Sequence, residues 1–245
     1  ERLVLPGGRA TDVHVVGFLP TCTVLASLQR PMKLSFLGDD QREHDFLVKG
    51  GEDLRLDQRI QQLFVVMNAL LAATPACASR RLHLRTFDVV PVSTTVGLVE
   101  WCSGTKTLMD VIAGQAGKDS LSKAQQAYGK WVSSRGDYTK VMSLPPEEVG
   151  NNLRARHGEI LPEALRRGVH QLAAGPQAYL AMRSRFAATL ATFSMASWIA
   201  GVGDRHLSNL LLDFHDGSLV GIDFGYSFGT ATQLLGVPEL VPFRL

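Results

Sequence analysis

The chain changes its hydrophobic rhythm three times. In the first hundred residues the apolar positions come in short runs. Val13–Leu19, Thr23–Leu28 and Lys33–Gly38 are such runs, bounded by Pro20 and Pro31, and they predict strands. Phe46-Leu47-Val48 is another, ending at Lys49. From Asp57 to Ala73 the spacing becomes three and four, with Ile60, Leu63, Phe64, Met67, Leu70 and Leu71 on one stripe, which predicts a packed helix. Leu82–Val90 and Thr95–Val99 return to the strand pattern. Residues 114–152 are polar, rich in Gly, Ser and Lys, and broken by Pro145-Pro146, which predicts helical pieces joined by loop. Residues 161–199 read as helix with one turn at Gly175-Pro176, where Pro suits a first helical turn. Leu207 and Leu210–Leu212, a turn at His215-Asp216-Gly217-Ser218, and Leu219–Ile222 then predict a buried hairpin. The pattern is that of an α+β chain: a small antiparallel sheet with one helix, followed by a mainly helical half.

Composition adds boundaries. The chain has 245 residues and is 45% hydrophobic, enough for a sizeable core in one or two lobes. A net charge of +2 does not by itself demand nucleic acid or an acidic membrane. Cys22, Cys77 and Cys102 are scattered, which suits a reducing compartment and argues against a disulfide framework or a zinc site. Phe186–Gly203 carries no charge but is barely long enough to cross a bilayer and is flanked by Arg183, Arg185, Asp204 and Arg205. A buried helix is the better reading. There is no initiator Met and no signal-like beginning.

The chemistry concentrates near the C-terminus. Gly203-Asp204-Arg205-His206-Leu207-Ser208-Asn209 is followed by Asp223-Phe224-Gly225. An Asp, an Asn five positions on and a D-F-G after a hairpin are what metal-assisted phosphoryl transfer requires. Asp204 is the candidate base or orienting group for an incoming hydroxyl. Asn209 and Asp223 are oxygen donors suited to Mg2+. His206, two residues from Asp204, would stabilise charge on the transferring group. Each residue alone reads better as a loop cap or turn residue; the set does not.

The order D-R-H, with Gly203 before the Asp, resembles the phosphatidylinositol 3-kinase superfamily and its protein-kinase branch, the PI3K-related kinases. Arg42–Arg59, containing Lys49-Gly50-Gly51-Glu52-Asp53-Leu54, is similar to that branch's ATP-lysine segment. Leu84–Pro91 and Gly97–Trp101 resemble its strand and hinge, and Gly225–Leu245 its activation segment. The resemblance covers nearly the whole chain and is faint in about 105–160. It implies a two-lobed protein-kinase-like fold. Residues 1–100 would form the N-lobe, with a phosphate-covering loop at 26–33 and the lysine segment at 46–59. Residues 101–104 would be the hinge. Residues 105–245 would be a partial C-lobe, carrying the catalytic loop at 203–209 and the activation segment at 223–245, truncated before further helices.

Site roles follow from the same resemblance. Lys49 would reach the ATP phosphates, with Glu52 as its partner and Asp57 at the pocket floor; the plain alternatives are a surface Lys and two acids favoured by a helix N-terminus. Ser27 would bind phosphate from the covering loop. The hinge would read adenine through the Glu100 carbonyl and the Cys102 N–H, with Trp101 stacked on the ring or serving as an ordinary core aromatic. Leu56, Phe87 and Tyr226 depart from the usual Gln, Tyr and His. Phe87 removes a hydroxyl from the inner pocket, and Tyr226 replaces a group that assists catalysis.

The expected activity is an ATP- and Mg2+-dependent (or Mn2+-dependent) serine/threonine protein kinase. Residues 226–243 contain no Lys or Arg, whereas lipid kinases of the superfamily cluster them there. Two other readings are a kinase-fold scaffold without turnover and a phosphoinositide kinase. The resemblance further implies Ser or Thr followed by Gln as substrate, a role in double-strand-break repair by non-homologous end joining, and a nuclear location. Ku and DNA ends would be bound by regions outside this segment, and no membrane would be engaged.

Overall fold

The computed structural model describes residues 3–7, 12–27, 29–137, 140–141, 143–157 and 163–233. The chain divides into two compact units. One comprises residues 1–104 together with 223–227, and the other residues 105–222 and 228–245.

The first unit is a sheet with a helix. β1 (Val15–Phe18), β2 (Thr23–Val24), β3 (Met32–Gly38), β4 (Glu43–Gly50), β5 (Val89–Pro91) and β6 (Val96–Glu100) form an antiparallel sheet of order β1-β3-β4-β6-β5, with β2 paired to β3. The period of two puts Phe36 and Phe46 on one face, where they join Leu5 in an apolar core backed by Val13, Val15, Leu34 and Leu98. The Phe36 and Phe46 rings meet edge to face with centroids 5.3 Å apart. Asp45, Leu47 and Lys49 alternate to the opposite face.

Helix α1 (Arg55–Ala73) forms where the three- and four-residue spacing predicts it, and α2 (Pro75–Ala78) follows. Its buried stripe differs from the predicted one. Leu70, expected in the core, is 64% exposed, while Asp57 and Gln61 are buried beside Ile60 and Phe64. The reason is hydrogen bonding. Gln61 Oε1 accepts the Phe87 N–H, and the Asn68 side chain both donates to the Leu84 carbonyl and accepts the Leu84 N–H. The same bonds explain a second difference. The strand predicted over 82–90 is irregular until Val89, because side chains of α1 satisfy backbone groups that a ladder would otherwise take.

The second unit contains β7 (Thr105–Thr107), α3 (Leu108–Ala116), α4 (Lys118–Ser134), α5 (Pro146–His157), α6 (Ala164–Leu172), α7 (Pro176–Ile199), β8 (Leu210–Asp213) and β9 (Leu219–Gly221). β7, β8 and β9 form a three-stranded antiparallel sheet. β8 and β9 are the predicted hairpin, shortened because Leu207–Asn209 winds into a 3-10 turn. Helix α7 buries Met182, Thr189, Thr192, Phe193, Ala196 and Ser197 on one side, as expected for the uncharged stretch. Among the described residues, no helix is long and apolar enough to cross a membrane.

Candidate functional site

In the first unit, chemistry gathers at the end of β4. Lys49 pairs with Gly97 of β6, and its Nζ lies 3.1 Å from Glu52 Oε1. Burial works against the ammonium's charge, but the carboxylates of Asp223, Glu52 and Asp57 outweigh it and hold the Lys49 pKa above its ordinary value. Asp57 is buried on the first turn of α1, where its Oδ1 accepts the Phe224 N–H at 2.8 Å. Burial raises the Asp57 pKa, opposed by that hydrogen bond and by Lys49. Phe224 is fully buried and meets the Phe64 ring edge to face at 5.5 Å, and the Ser227 hydroxyl donates to the Phe224 carbonyl. The D-F-G is therefore held to α1 by a backbone hydrogen bond and a ring contact. Lys49, Glu52, Asp57 and Asp223, four sequence-predicted residues, form one charged cluster.

The hinge candidates also lie in this unit. Glu100 exchanges two hydrogen bonds with Asp88, from its N–H to the Asp88 carbonyl and from the Asp88 N–H to its Oε2. The Trp101 N–H donates to the Asp45 carbonyl at 2.9 Å, and the Ser103 N–H to the Trp101 carbonyl. Cys102 is half-buried. Ser27 is exposed on the β2–β3 hairpin, with its N–H donated to the Leu25 carbonyl. The same hairpin brings Gln29 Oε1 to 3.4 Å from where a side chain on Gly51 would begin, over the lysine segment. Leu28 of this loop lies outside the described residues, as do Leu234, Leu235, Val237 and Leu240, expected as a substrate wall or a packing surface.

In the second unit, Asp204, His206 and Asn209 sit together on the loop after α7. Asp204 has φ +54, a left-handed conformation that Asp tolerates better than most residues. Asn209 Nδ2 donates to the Asp204 carbonyl at 3.0 Å and lies 3.4 Å from its Oδ2. His206 Nδ1 accepts the Ser208 N–H at 3.2 Å, which leaves Nε2 as the protonated nitrogen in the neutral ring, and Nε2 stands 4.0 Å from Asp204 Oδ1. The Ile222 N–H donates to the Asn209 carbonyl, so the hairpin brings Asn209 opposite the residue that precedes Asp223.

Two features of this loop escape the sequence reading. Arg205 is 6% exposed: its Nε donates to the Gly203 carbonyl and its guanidinium to the Ile222 carbonyl, each at 2.7 Å. It braces the loop against the end of β9. Its place between Asp204 and His206 was the available signal, since a charged residue in an apolar context is buried when it has fixed partners. The second is a backbone clamp. The Phe228 N–H donates to the Ala200 carbonyl and the Gly229 N–H to the Gly201 carbonyl, at 2.8 and 2.9 Å.

Among the described residues, no three or more His, Cys, Asp or Glu side chains converge as a self-sufficient metal site. Asn209 in the second unit and Asp223 in the first are each hard oxygen donors of the kind Mg2+ takes. Asn209 commits its amide nitrogen to Asp204, which fixes the amide and makes its oxygen the hard donor. Asp223 supplies a carboxylate. Mg2+ typically takes one or two carboxylates and completes its shell with phosphates and water.

Comparison with known proteins places this arrangement. The pattern of the phosphatidylinositol 3- and 4-kinase family matches residues 43–245. The chain is 41% identical over 247 residues to the DNA-dependent protein kinase catalytic subunit of Gallus gallus, an alignment that covers 95% of this chain and 6% of that protein. It is 33% identical to the serine/threonine-protein kinase TOR of Oryza sativa subsp. japonica, covering 100% of this chain and 10% of the relative. The solved structure of the complete CtTel1 dimer with C2 symmetry superposes with a TM-score of 0.81 at 29% identity, covering 100% of this chain and 9% of that one. The chain thus spans about a tenth or less of the length of the relatives it matches.

Proposed function

Because the chain belongs to the phosphatidylinositol 3- and 4-kinase family, we propose that it is the ATP- and Mg2+-dependent catalytic domain of a serine/threonine protein kinase of the PI3K-related branch. The observation that carries this reading is the cluster of Lys49, Glu52, Asp57 and Asp223, with D-F-G bound to α1 through Asp57. It is a phosphate-binding cation fixed among carboxylates, with the metal-ligand Asp held in the same assembly.

The roles divide by chemistry. Lys49 neutralises phosphate oxygens, and Glu52 holds its amine in place. Asn209 and Asp223 would hold Mg2+, which supplies charge neutralisation at the phosphates. Asp204 orients the acceptor hydroxyl and accepts its proton. His206, with Nε2 as donor, stabilises negative charge on the transferring group. The backbone of Glu100 and Cys102 reads adenine beside Trp101, and Ser27 closes over the phosphates.

A protein acceptor is favoured over a phosphoinositide because residues 226–243 carry no Lys or Arg to bind a phosphorylated head group. Similarity to proteins named DNA-dependent protein kinase catalytic subunit supports the finer reading. That reading is transfer to Ser or Thr followed by Gln, in double-strand-break repair by end joining in the nucleus, with Ku and DNA ends engaged by other parts of a larger polypeptide.

The test is phosphate transfer by the full-length protein from Mg-ATP to a Ser-Gln peptide, with and without double-stranded DNA ends. Asp204→Asn and Asp223→Asn would run alongside. DNA-stimulated transfer lost in both variants supports the whole reading. Transfer without DNA stimulation keeps the kinase and removes the repair assignment. ATP binding with no transfer above the variants leaves a scaffold, with Tyr226, at the position usually held by His, as the first suspect.

A further inference from the structure

One ion pair of the first unit is not used by the roles above, and it stands beside the hinge. Lys33 on β3 lies opposite Leu47 on β4, and Ser35 lies opposite Asp45. Opposed residues share a face, so Lys33, Ser35, Asp45 and Leu47 lie on the face that carries Lys49, away from the Phe36–Phe46 core. Lys33 Nζ reaches diagonally to Asp45 Oδ2 at 2.6 Å. The same ammonium stands over the Trp101 indole, 5.2 Å from the ring centroid. The Ser35 hydroxyl donates to the other oxygen of Asp45.

These contacts converge on one residue of the hinge. Asp45 holds the Trp101 backbone directly, by accepting its N–H. It holds the Trp101 ring indirectly, through Lys33. The pair is also drier than an ordinary surface pair, with side chains 28% and 18% exposed. Burial works against the Asp45 charge, but Lys33 and Ser35 overcome it and keep the carboxyl below its usual range. The Asp45 carboxylate is therefore kept ionised beside the Lys33 ammonium that stands over the ring. A solvated lysine would not need the ring; this one is placed on the electron-rich face that attracts a cation.

We propose that Lys33 is a positioning residue for the nucleotide: clamped by Asp45, it fixes the Trp101 ring in the orientation that receives adenine. The proposal rests on the kinase reading for the adenine, but the Lys33–Asp45–Trp101 clamp itself does not. It acts on nucleotide affinity. Phosphoryl transfer and peptide binding draw on other residues.

The experiment uses the full-length protein with Lys33→Met, which keeps the apolar stem, Lys33→Arg, which keeps a cation that can stack, and Asp45→Asn. Steady-state kinetics give KM for ATP, KM for peptide and kcat. Hydroxyl-radical footprinting of the nucleotide-free protein gives the oxidation rate of Trp101 itself. Lys33→Met should raise KM for ATP roughly fivefold, the effect of losing one partly desolvated cation–π contact. It should leave kcat and peptide KM within about twofold and make Trp101 oxidise faster. Lys33→Arg should restore both readouts, and Asp45→Asn should fall between. An unchanged ATP KM in Lys33→Met overturns the proposal. So does an equal change in all kinetic constants with no change at Trp101, which marks a general loss of structure. If the wild-type protein transfers no phosphate, the kinase reading fails. Footprinting and equilibrium ATP binding then still decide whether Lys33 sets the ring.

Discussion

Asp57 and Phe224 stand 167 positions apart in the sequence, yet Asp57 Oδ1 accepts the Phe224 N–H at 2.8 Å. A carboxyl on the first turn of α1 thereby fixes the backbone of the D-F-G, and the Phe64 ring two turns later packs edge to face on the Phe224 ring. The helix that approaches Lys49 through Asp57, just after Glu52, also holds the residue next to Asp223. Charge and backbone position are coupled in one element.

Replacing Asp57 separates the two roles. Asp57→Asn keeps an oxygen acceptor for the Phe224 N–H and removes a buried charge. Asp57→Ala orphans a buried donor, which costs about 1–3 kcal/mol. The Ala variant should unfold at lower urea concentration and lose hydrogen-exchange protection at Phe224. The Asn variant should keep that protection while losing nucleotide affinity, because Lys49 loses one of its carboxylates. Equal protection in both variants would show that the hydrogen bond does not hold the D-F-G.

The same residue makes a signed prediction for pH. Burial raises the Asp57 pKa above the unfolded value of about 3.9. Between the two values the folded state binds more protons than the unfolded state, so this group's contribution to stability falls as pH rises through the window and then levels. Asp57→Asn has no such term. Its stability relative to wild type should grow from about pH 4 upward and then become constant. Urea midpoints measured from pH 4 to 8 check this, and a flat difference across the range would show that burial does not set the Asp57 pKa.

The residues legible in the sequence were those whose chemistry is local. Asp204, Asn209 and the D-F-G are separated by a short hairpin, and its alternation places β8 and β9 directly. The 3.6-residue period of α1 is also legible, but its buried face differs from the one the hydropathy stripe predicts. Leu70 was expected inside and is exposed, because Asp57, Gln61 and Asn68 turn inward to bind backbone groups of Phe224, Phe87 and Leu84. A hydropathy stripe ranks residues by their side chains and does not register which distant backbone needs a partner. The irregular course of 82–88 was hidden for the same reason. Lys33 over Trp101 was equally invisible, since it depends on the diagonal register of β3 and β4 and not on either segment alone.

The backbone clamp after the D-F-G gives a third test. Gly201 has φ +57, and a side chain added there would begin 2.7 Å from the Gly229 nitrogen, a backbone atom that cannot swing aside. Gly201→Ala should break the Phe228–Ala200 and Gly229–Gly201 hydrogen bonds and cost about 1–3 kcal/mol. Phe228 is also left-handed, at φ +57, and its ring is 59% exposed. Phe228→Gly should therefore stay within about 1 kcal/mol of wild type, since relief of strain offsets added freedom in the unfolded chain. Hydrogen exchange at residues 228 and 229 reads the clamp directly. Full protection in Gly201→Ala would refute it.

The left-handed backbone of Asp204 decides how its chemistry should be tested. At φ +54 an Ala pays a conformational penalty that Asp and Asn largely avoid. Loss of activity in Asp204→Ala would mix a missing carboxylate with a displaced loop, and the loop also carries Asn209, which donates to the Asp204 carbonyl. Asp204→Asn keeps the backbone, the carbonyl and a side chain of equal shape, and removes only the group that accepts a proton. It should leave the melting temperature and the ATP affinity at wild-type values. Phosphate transfer to peptide should fall by roughly 10²–10⁴, the usual contribution of general acid–base catalysis. A drop of that size in transfer with ATP affinity intact assigns the carboxylate to the acceptor hydroxyl. Parallel loss of ATP affinity would instead place Asp204 among the groups that hold the phosphates, and wild-type transfer would leave the loop without a base.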